Sequence, residues 1–170
     1  MKHIIIIFIS AISMFANGQG INNLWLMGYD DFVGPPWGTY NLNFNAISFN
    51  LDTVHYKNGN GITNANIADT SGNLLFYSTG SFVANSTGDT MQNGTGLNPS
   101  WYTSQYPEGL NIPQANLILA KPNSSNLYYL FHSTIDYPQQ STALYLYLTT
   151  IDMSLNNGLG AVISKKMALK

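Results

Sequence analysis

The chain has no cysteine, no arginine and one glutamate, and only 8% of its 170 residues are charged, against roughly 25% in an average soluble domain. Each absence removes a class of function. Without Cys there is no disulfide framework, no thiolate metal site, no cysteine nucleophile and no lipidated Cys at a signal cleavage site. Without Arg, and with 6 Lys scattered along the chain, there is no basic patch to hold phosphates or read guanine, so nucleic acid is not an expected partner. The apolar stretch over residues 4–16 falls short of the roughly 20 residues that a membrane helix needs, so no stable membrane span is expected once the N-terminus is removed.

What is present argues for a folded domain. The 3 Trp, 11 Tyr and 8 Phe are too many for a disordered chain. Polarity comes from 21 Asn and from Ser and Thr, which hydrogen-bond and form turns without charge.

Residues 1–18 have the order of a secretory signal: a basic start (Lys2, His3), an apolar run, then small residues at Ala16 and Gly18. Cleavage after Gly18 leaves residues 19–170, and the loss of Lys2 makes the mature chain one unit more negative than the formal −2 of the whole. The expected location is therefore secreted or cell-surface.

Beyond the signal no segment sustains a helical apolar period, while short β-branched and aromatic runs bounded by Gly, Asn, Pro and Ser recur. The expected class is all-β. Residues 62–68 and 74–78 form one hairpin around Asp69-Thr70-Ser71-Gly72-Asn73, and residues 115–120 and 127–131 form another. Both return strands open on Asn-Leu, at Asn73-Leu74 and Asn126-Leu127, 53 residues apart. Residues 143–152 alternate Leu144, Leu146 and Leu148 with Tyr145, Tyr147 and Thr149, which predicts a strand buried on both faces. A turn at 154–160 leads to a fourth strand over 161–169. Four antiparallel strands in about 50 residues match one propeller blade, and a β-sandwich is the competing architecture. Residues 19–170 accommodate about three such units, whereas closed propellers usually have four to eight, so the chain reads as the N-terminal portion of a longer protein that supplies the remaining blades.

Several segments together resemble a known group. They are Asn23-Leu24-Trp25-Leu26-Met27-Gly28, the run from Ala68-Asp69 to Phe76-Tyr77, Met91-Gln92-Asn93-Gly94-Thr95-Gly96-Leu97, residues 114–122, Leu127-Tyr128-Tyr129-Leu130-Phe131, and residues 151–160. In order and spacing the set resembles the N-terminal propeller-like region of large exported Bacteroidota proteins, many ending in a gliding-motility-associated or type IX secretion sorting domain. The chain departs from that pattern at Thr79, Ala84 and Ala161. The resemblance implies a surface protein of repeated modules exported across an outer membrane, and it brings no catalytic residues.

Candidate chemistry is sparse. After signal removal the histidines are His55 and His132, without a Gly-x-Ser-x-Gly elbow or a His-Glu-x-x-His helix. His132, inside an aromatic strand, reads as structural, and two His without Cys predict no zinc site. No cofactor is expected. Asp30, Asp31, Glu108 and Asp136 lie in loop-like stretches and are the acids from which a secreted glycoside hydrolase would draw a pair. Asp69 and Asp152 are explained by turns, as is the Gly-Asn stretch at 58–61. Trp25, in an apolar strand, is assigned to the core.

Two aromatic loops are the stronger candidates. Trp37 and Tyr40 follow Gly34-Pro35-Pro36, and Trp101, Tyr102 and Tyr106 precede Pro107-Glu108-Gly109, in segments unsuited to a central strand. Exposed rings with Asn, Gln and Thr nearby suit a neutral ligand such as a glycan or peptide. Rings filling gaps between blades are the alternative. The expected function is a non-enzymatic exported module for adhesion, surface architecture or ligand binding, with the carbohydrate-active enzyme as the alternative.

Overall fold

A computed structural model describes residues 23–29, 38–44, 48–56, 61–136 and 143–169. The expected signal, residues 1–18, lies outside them. The chain is all-β, and its described residues form three antiparallel meanders in chain order. The first sheet holds β1 (Leu24–Tyr29), β2 (Gly38–Asn43) and β3 (Asn50–Val54). The second holds β4 (Ala65–Ala68), β5 (Leu74–Ser78) and β6 (Val83–Asn85). The third holds β7 (Asn116–Ala120), β8 (Leu127–Ser133), β9 (Leu146–Asp152) and β10 (Ala161–Leu169), four strands in sequence order as the blade pattern predicts.

Turn chemistry sets the hairpins. The Asp69 carboxylate accepts from the Ser71 and Asn73 amides at 2.8 and 2.9 Å, while the Asp69 amide donates to the Asn73 carbonyl at 2.8 Å, closing the β4–β5 turn. Four of the five non-glycine residues at positive φ among the described residues are asparagines: Asn93, Asn123, Asn156 and Asn157. The Asn-rich composition thus has a local use, because Asn tolerates left-handed backbone better than most residues.

The sheets stack face to face, with the second in the middle. On one side Ile67, Phe76 and Val83 pack against Ile118, Tyr128, Leu130 and Ile151 of the third sheet, with Phe76 and Tyr128 edge to face at 5.4 Å. On the other side Tyr77 and Ala84 pack with Leu26 of the first sheet. Tyr77 also tilts against Tyr56, 5.1 Å away. The opening strands of the three sheets line up, β1 beside β4 and β4 beside β7.

An Asn side chain seals the first of these junctions. Asn23 bonds toward β2, since the Phe44 amide donates to its carbonyl, so Leu24 and Leu26 point their backbone groups to the open edge of β1. The Asn66 amide on β4 fills that edge, donating to the Leu24 carbonyl at 2.8 Å and accepting from the Leu26 amide at 3.0 Å. At the next junction Asn116 on β7 donates to the Ser78 carbonyl at 3.1 Å.

Two expectations are corrected. The Leu144, Leu146, Leu148 side of the β9 region is not covered by a neighbouring layer. Leu144 and Leu146 are exposed, whereas the opposite side buries Thr149 and Ile151 against the second sheet. Trp25 is not core either: it is 51% exposed on the outward side of the first sheet, edge to face with Phe44 at 5.4 Å. In the β9 region alternation sorts the side chains into two sides and only the covering of one side differs, whereas the expectation for Trp25 rests on the apolar character of its strand alone.

Candidate functional site

The segment between the second and third sheets is held at both ends. Upstream, Leu97 is fully buried and its amide donates to the Ser81 carbonyl, and the buried Asn98 side chain donates to the Ser133 carbonyl. Downstream, the Leu110 amide donates to the Thr79 carbonyl at 3.0 Å and its own carbonyl accepts from the Thr63 amide at 3.1 Å. Thr63 also bonds through its hydroxyl to the Ile112 backbone.

Between these anchors the stretch expected as an aromatic loop is a short helix, α1 (Trp101–Gln105). Local capping explains it. The Ser100 hydroxyl accepts from the Thr103 amide, and the Thr103 hydroxyl accepts from the Ser100 amide, a reciprocal pair that satisfies two donors at the helix start. The Thr103 hydroxyl in turn donates to the Asn98 carbonyl at 2.6 Å, tying the helix to the buried anchor. No residue of α1 is buried.

Tyr102 and Tyr106 lie one helical turn apart, with ring centroids 4.9 Å apart and planes at 38°. Trp101 is 58% exposed and Tyr106 is exposed as well. The structure therefore brings together Trp101, Tyr102 and Tyr106 on one braced element. Tyr40, expected in a loop unsuited to a central strand, is instead in β2, the central strand of the first sheet, half-buried between Met27 and Thr53, because the Gly-Pro-Pro stretch precedes the strand and does not interrupt it. Trp37 lies outside the described residues.

Asp69, Asp136 and Asp152 are occupied with structure. Burial pulls the Asp69 carboxyl upward, but amide donation from Asn73, Ser71 and Gly72 outweighs it and leaves the pKa below the ordinary carboxylate value. Hydrogen bonds from Ser154 lower that of Asp152. Asp136 accepts from the Thr134 hydroxyl and the Leu144 amide, stapling the entry to β9. Glu108 is half-buried beside α1, and Asp30 and Asp31 lie outside the described residues. His132 is fully buried on β8 with Nε2 3.0 Å from the Thr149 hydroxyl, while His55 follows β3 of the first sheet. Among the described residues no three His, Asp or Glu side chains gather into a metal-binding group, and no helix is long and apolar enough to cross a membrane. Burial also raises the pKa of Tyr56, with the bond from its hydroxyl to Asn41 pulling the other way.

Two features escaped sequence reasoning. One is the pair Asn66 and Asn116, each bonding across a sheet junction, whose signal was available in the matching runs Ala65-Asn66-Ile67 and Ala115-Asn116-Leu117. Phe76-Tyr77-Ser78-Thr79 and Phe131-His132-Ser133-Thr134 repeat in the same register of the two sheets. The other is a shallow hollow of about 320 Å³ on the outward side of the third sheet, lined by Gln114, Asn116, Leu117, Leu119, Phe131 and Leu146 among others. Nothing local marks it in the sequence, because its lining comes from three strands.

Compared with protein-family models, curated proteins and solved structures, the chain matches none.

Proposed function

We propose that this chain is a non-enzymatic, exported module of β-propeller type that binds a neutral glycan or peptide outside the cell through the aromatic bracket at α1. The observation that carries the proposal is Trp101, left 58% exposed on a helix that is capped and anchored at both ends. An indole costs free energy when left in water, and a flexible loop would fold it away. Here the Ser100–Thr103 cap and the Asn98 and Leu110 anchors hold the backbone so that the ring faces solvent. The neighbouring Tyr102–Tyr106 pair adds a second flat surface, and the Ser104 and Gln105 side chains supply neutral hydrogen-bonding groups. Flat apolar contact bordered by uncharged donors and acceptors suits a sugar ring or a peptide backbone better than a charged ligand.

The blade reading draws support from three meanders stacked in chain order with their opening strands in line. A cell-surface location rests on the signal-like N-terminus and on the Bacteroidota resemblance.

Equilibrium binding to a glycan and peptide array tests the ligand reading. Trp101→Ala is expected to weaken the best binder at least tenfold with the melting temperature unchanged. Absence of any binder, or binding indifferent to Trp101→Ala and Tyr106→Ala, overturns it.

A further inference from the structure

Tyr145 and Tyr147 form a second aromatic surface, on the side of the third sheet that faces the second. Their rings stack 5.9 Å apart with planes only 9° from parallel, and Tyr147 lies against the buried His132 at 5.7 Å. Tyr147 is half-buried, whereas Tyr145, just before β9, stands clear of the second sheet and is 52% exposed. Its main chain is fixed on both sides. The Tyr145 amide donates to the Thr134 hydroxyl at 3.2 Å, and the Tyr145 carbonyl accepts from the Thr134 amide at 3.0 Å. This ring, like that of Trp101, is held in water by a braced backbone.

Hydrogen bonds tie this surface to α1. The Ser133 carbonyl, next to the Thr134 amide that Tyr145 receives, accepts from the Asn98 side chain at 3.3 Å, and the Asn98 carbonyl accepts from the Thr103 hydroxyl at 2.6 Å. The Leu97 amide donates to the Ser81 carbonyl, so the chain crosses from the second sheet to the third at this rim, and α1 rises from the crossing. Three residues, spanning at most about 10 Å, lead from Asn98 to Trp101. The two aromatic surfaces are neighbours on one rim.

We propose that Tyr145 and Tyr147 extend the site at α1, and that the combined site takes a neutral polysaccharide chain long enough to stack sugar rings on both aromatic surfaces. This rests on α1 as the ligand site and narrows its ligand from a glycan or peptide to an extended neutral glycan.

The relief of the rim favours a glycan over a peptide. A peptide adds a strand to an open edge, lays a helix in a groove, or runs as an extended proline-rich segment along a groove. At Tyr145 both backbone groups are already bonded to Thr134, so no strand adds there. No residue of α1 is buried, so the helix stands proud of the surface and walls no groove. What the rim presents is two ring surfaces with a short polar stretch between them. A chain of sugar rings matches that spacing of features, with apolar ring faces to stack and hydroxyls to meet side chains such as Ser104 and Gln105.

Charge selects a neutral chain. Among the described residues, the charged side chains next to the two surfaces in the chain or through a hydrogen bond are carboxylates: Glu108, two residues past Tyr106, and Asp136, which accepts from the Leu144 amide at 2.8 Å. Lys165, which reaches the connecting segment, is held on the Thr95 carbonyl at 3.1 Å. A uronic-acid or sulfated chain brings negative charge against both carboxylates, and like charges brought together cost affinity. Length follows from the open shape. One exposed surface holds a ligand weakly, but a chain that also reaches the second surface makes that contact within the same complex, which raises affinity steeply once the chain is long enough to span.

The test is equilibrium binding of the full chain to neutral oligosaccharides of graded length, from disaccharides upward, prepared from β-glucan, xylan and mannan. Polygalacturonate serves as the acidic comparison, and a peptide array is measured beside them. Affinity for the best series is expected to rise at least about tenfold over a few added units and then level off, with polygalacturonate unbound. Tyr145→Ala is expected to remove the rise, so that long and short members bind within about twofold of each other, while Tyr145→Phe, which keeps the stacked ring, retains it. Near-ultraviolet circular dichroism checks that both variants are folded, and the length series on the unmodified chain stands without them. Affinity independent of length, a rise that persists in Tyr145→Ala, or polygalacturonate bound as tightly as the neutral series overturns the extension and leaves α1 as a ligand site. So does a peptide as the sole ligand. Absence of any glycan or peptide binder overturns both.

Discussion

Replacing Asn66 by alanine tests whether the first two sheets are joined through a side chain that acts as a strand edge. The perturbation deletes one donor and one acceptor, leaving the Leu24 carbonyl and the Leu26 amide without their bonds of 2.8 and 3.0 Å. An orphaned backbone group costs about 1–3 kcal/mol, and these bonds are partly buried, so water recovers some of the loss. The low end of the range applies to each, about 2 kcal/mol for the pair. At about 2–4 °C per kcal/mol for a domain of this size, the melting temperature falls by about 4–8 °C. The sharper readout is amide exchange. Leu26 loses protection by at least about tenfold, while the amides of Trp25 and Met27, which face β2, lose only what the global destabilisation explains. Asn66→Asp separates the two bonds, since a carboxylate still accepts from the Leu26 amide but has nothing to donate to the Leu24 carbonyl. It should keep most of the Leu26 protection while losing stability. Unchanged exchange at Leu26 in Asn66→Ala, with or without a lower melting temperature, would refute the edge-sealing role.

The core and the turns make further predictions. Phe76→Ala removes a fully buried ring from the contact with Tyr128 and should cost about 3–5 kcal/mol in urea unfolding, whereas a loss under 1 kcal/mol would mean that the second and third sheets do not pack as described. Asp69 has a folded pKa below its ordinary 3.8, so its contribution is fully present above that value and is lost as pH falls through the lower folded value. Stability measured from pH 5 downward (about 5 to 2) should therefore fall less steeply in Asp69→Asn than in the unmodified chain, and parallel curves would remove the turn from the account of acid unfolding.

Much of the architecture was legible in local sequence. The strand Leu74–Ser78 coincides with its expected bounds because Asp69-Thr70-Ser71-Gly72-Asn73 is a turn by its own side-chain chemistry. The strand at Ala161–Leu169 follows from β-branched and apolar residues after a turn with four positive φ angles at Asn156, Asn157, Gly158 and Gly160. The helix at Trp101–Gln105 was not foreseen, although its cap was in the sequence. Ser100 and Thr103 have the spacing of a capping box but lack the usual Glu or Gln at its third position, and the segment reads as a loop.

By itself the sequence determined the class and the strands of the two hairpins and of the third sheet, because period-two alternation and turn residues act over a few positions, whereas Gly38–Asn43, Asn50–Val54 and Val83–Asn85 were not read from it. It also determined that the polar surface is neutral, since Asn and Ser take the turns where charge is scarce. Only the tertiary structure decided which strand faces are covered. Trp25 and Phe76 sit in equally apolar strands, yet one is half in water and the other is buried, because the first sheet ends the stack and the second lies at its centre. Layer order is a long-range property: it depends on Asn66 and Asn116 joining one sheet to the next, and no local pattern of hydrophobicity records how many sheets follow.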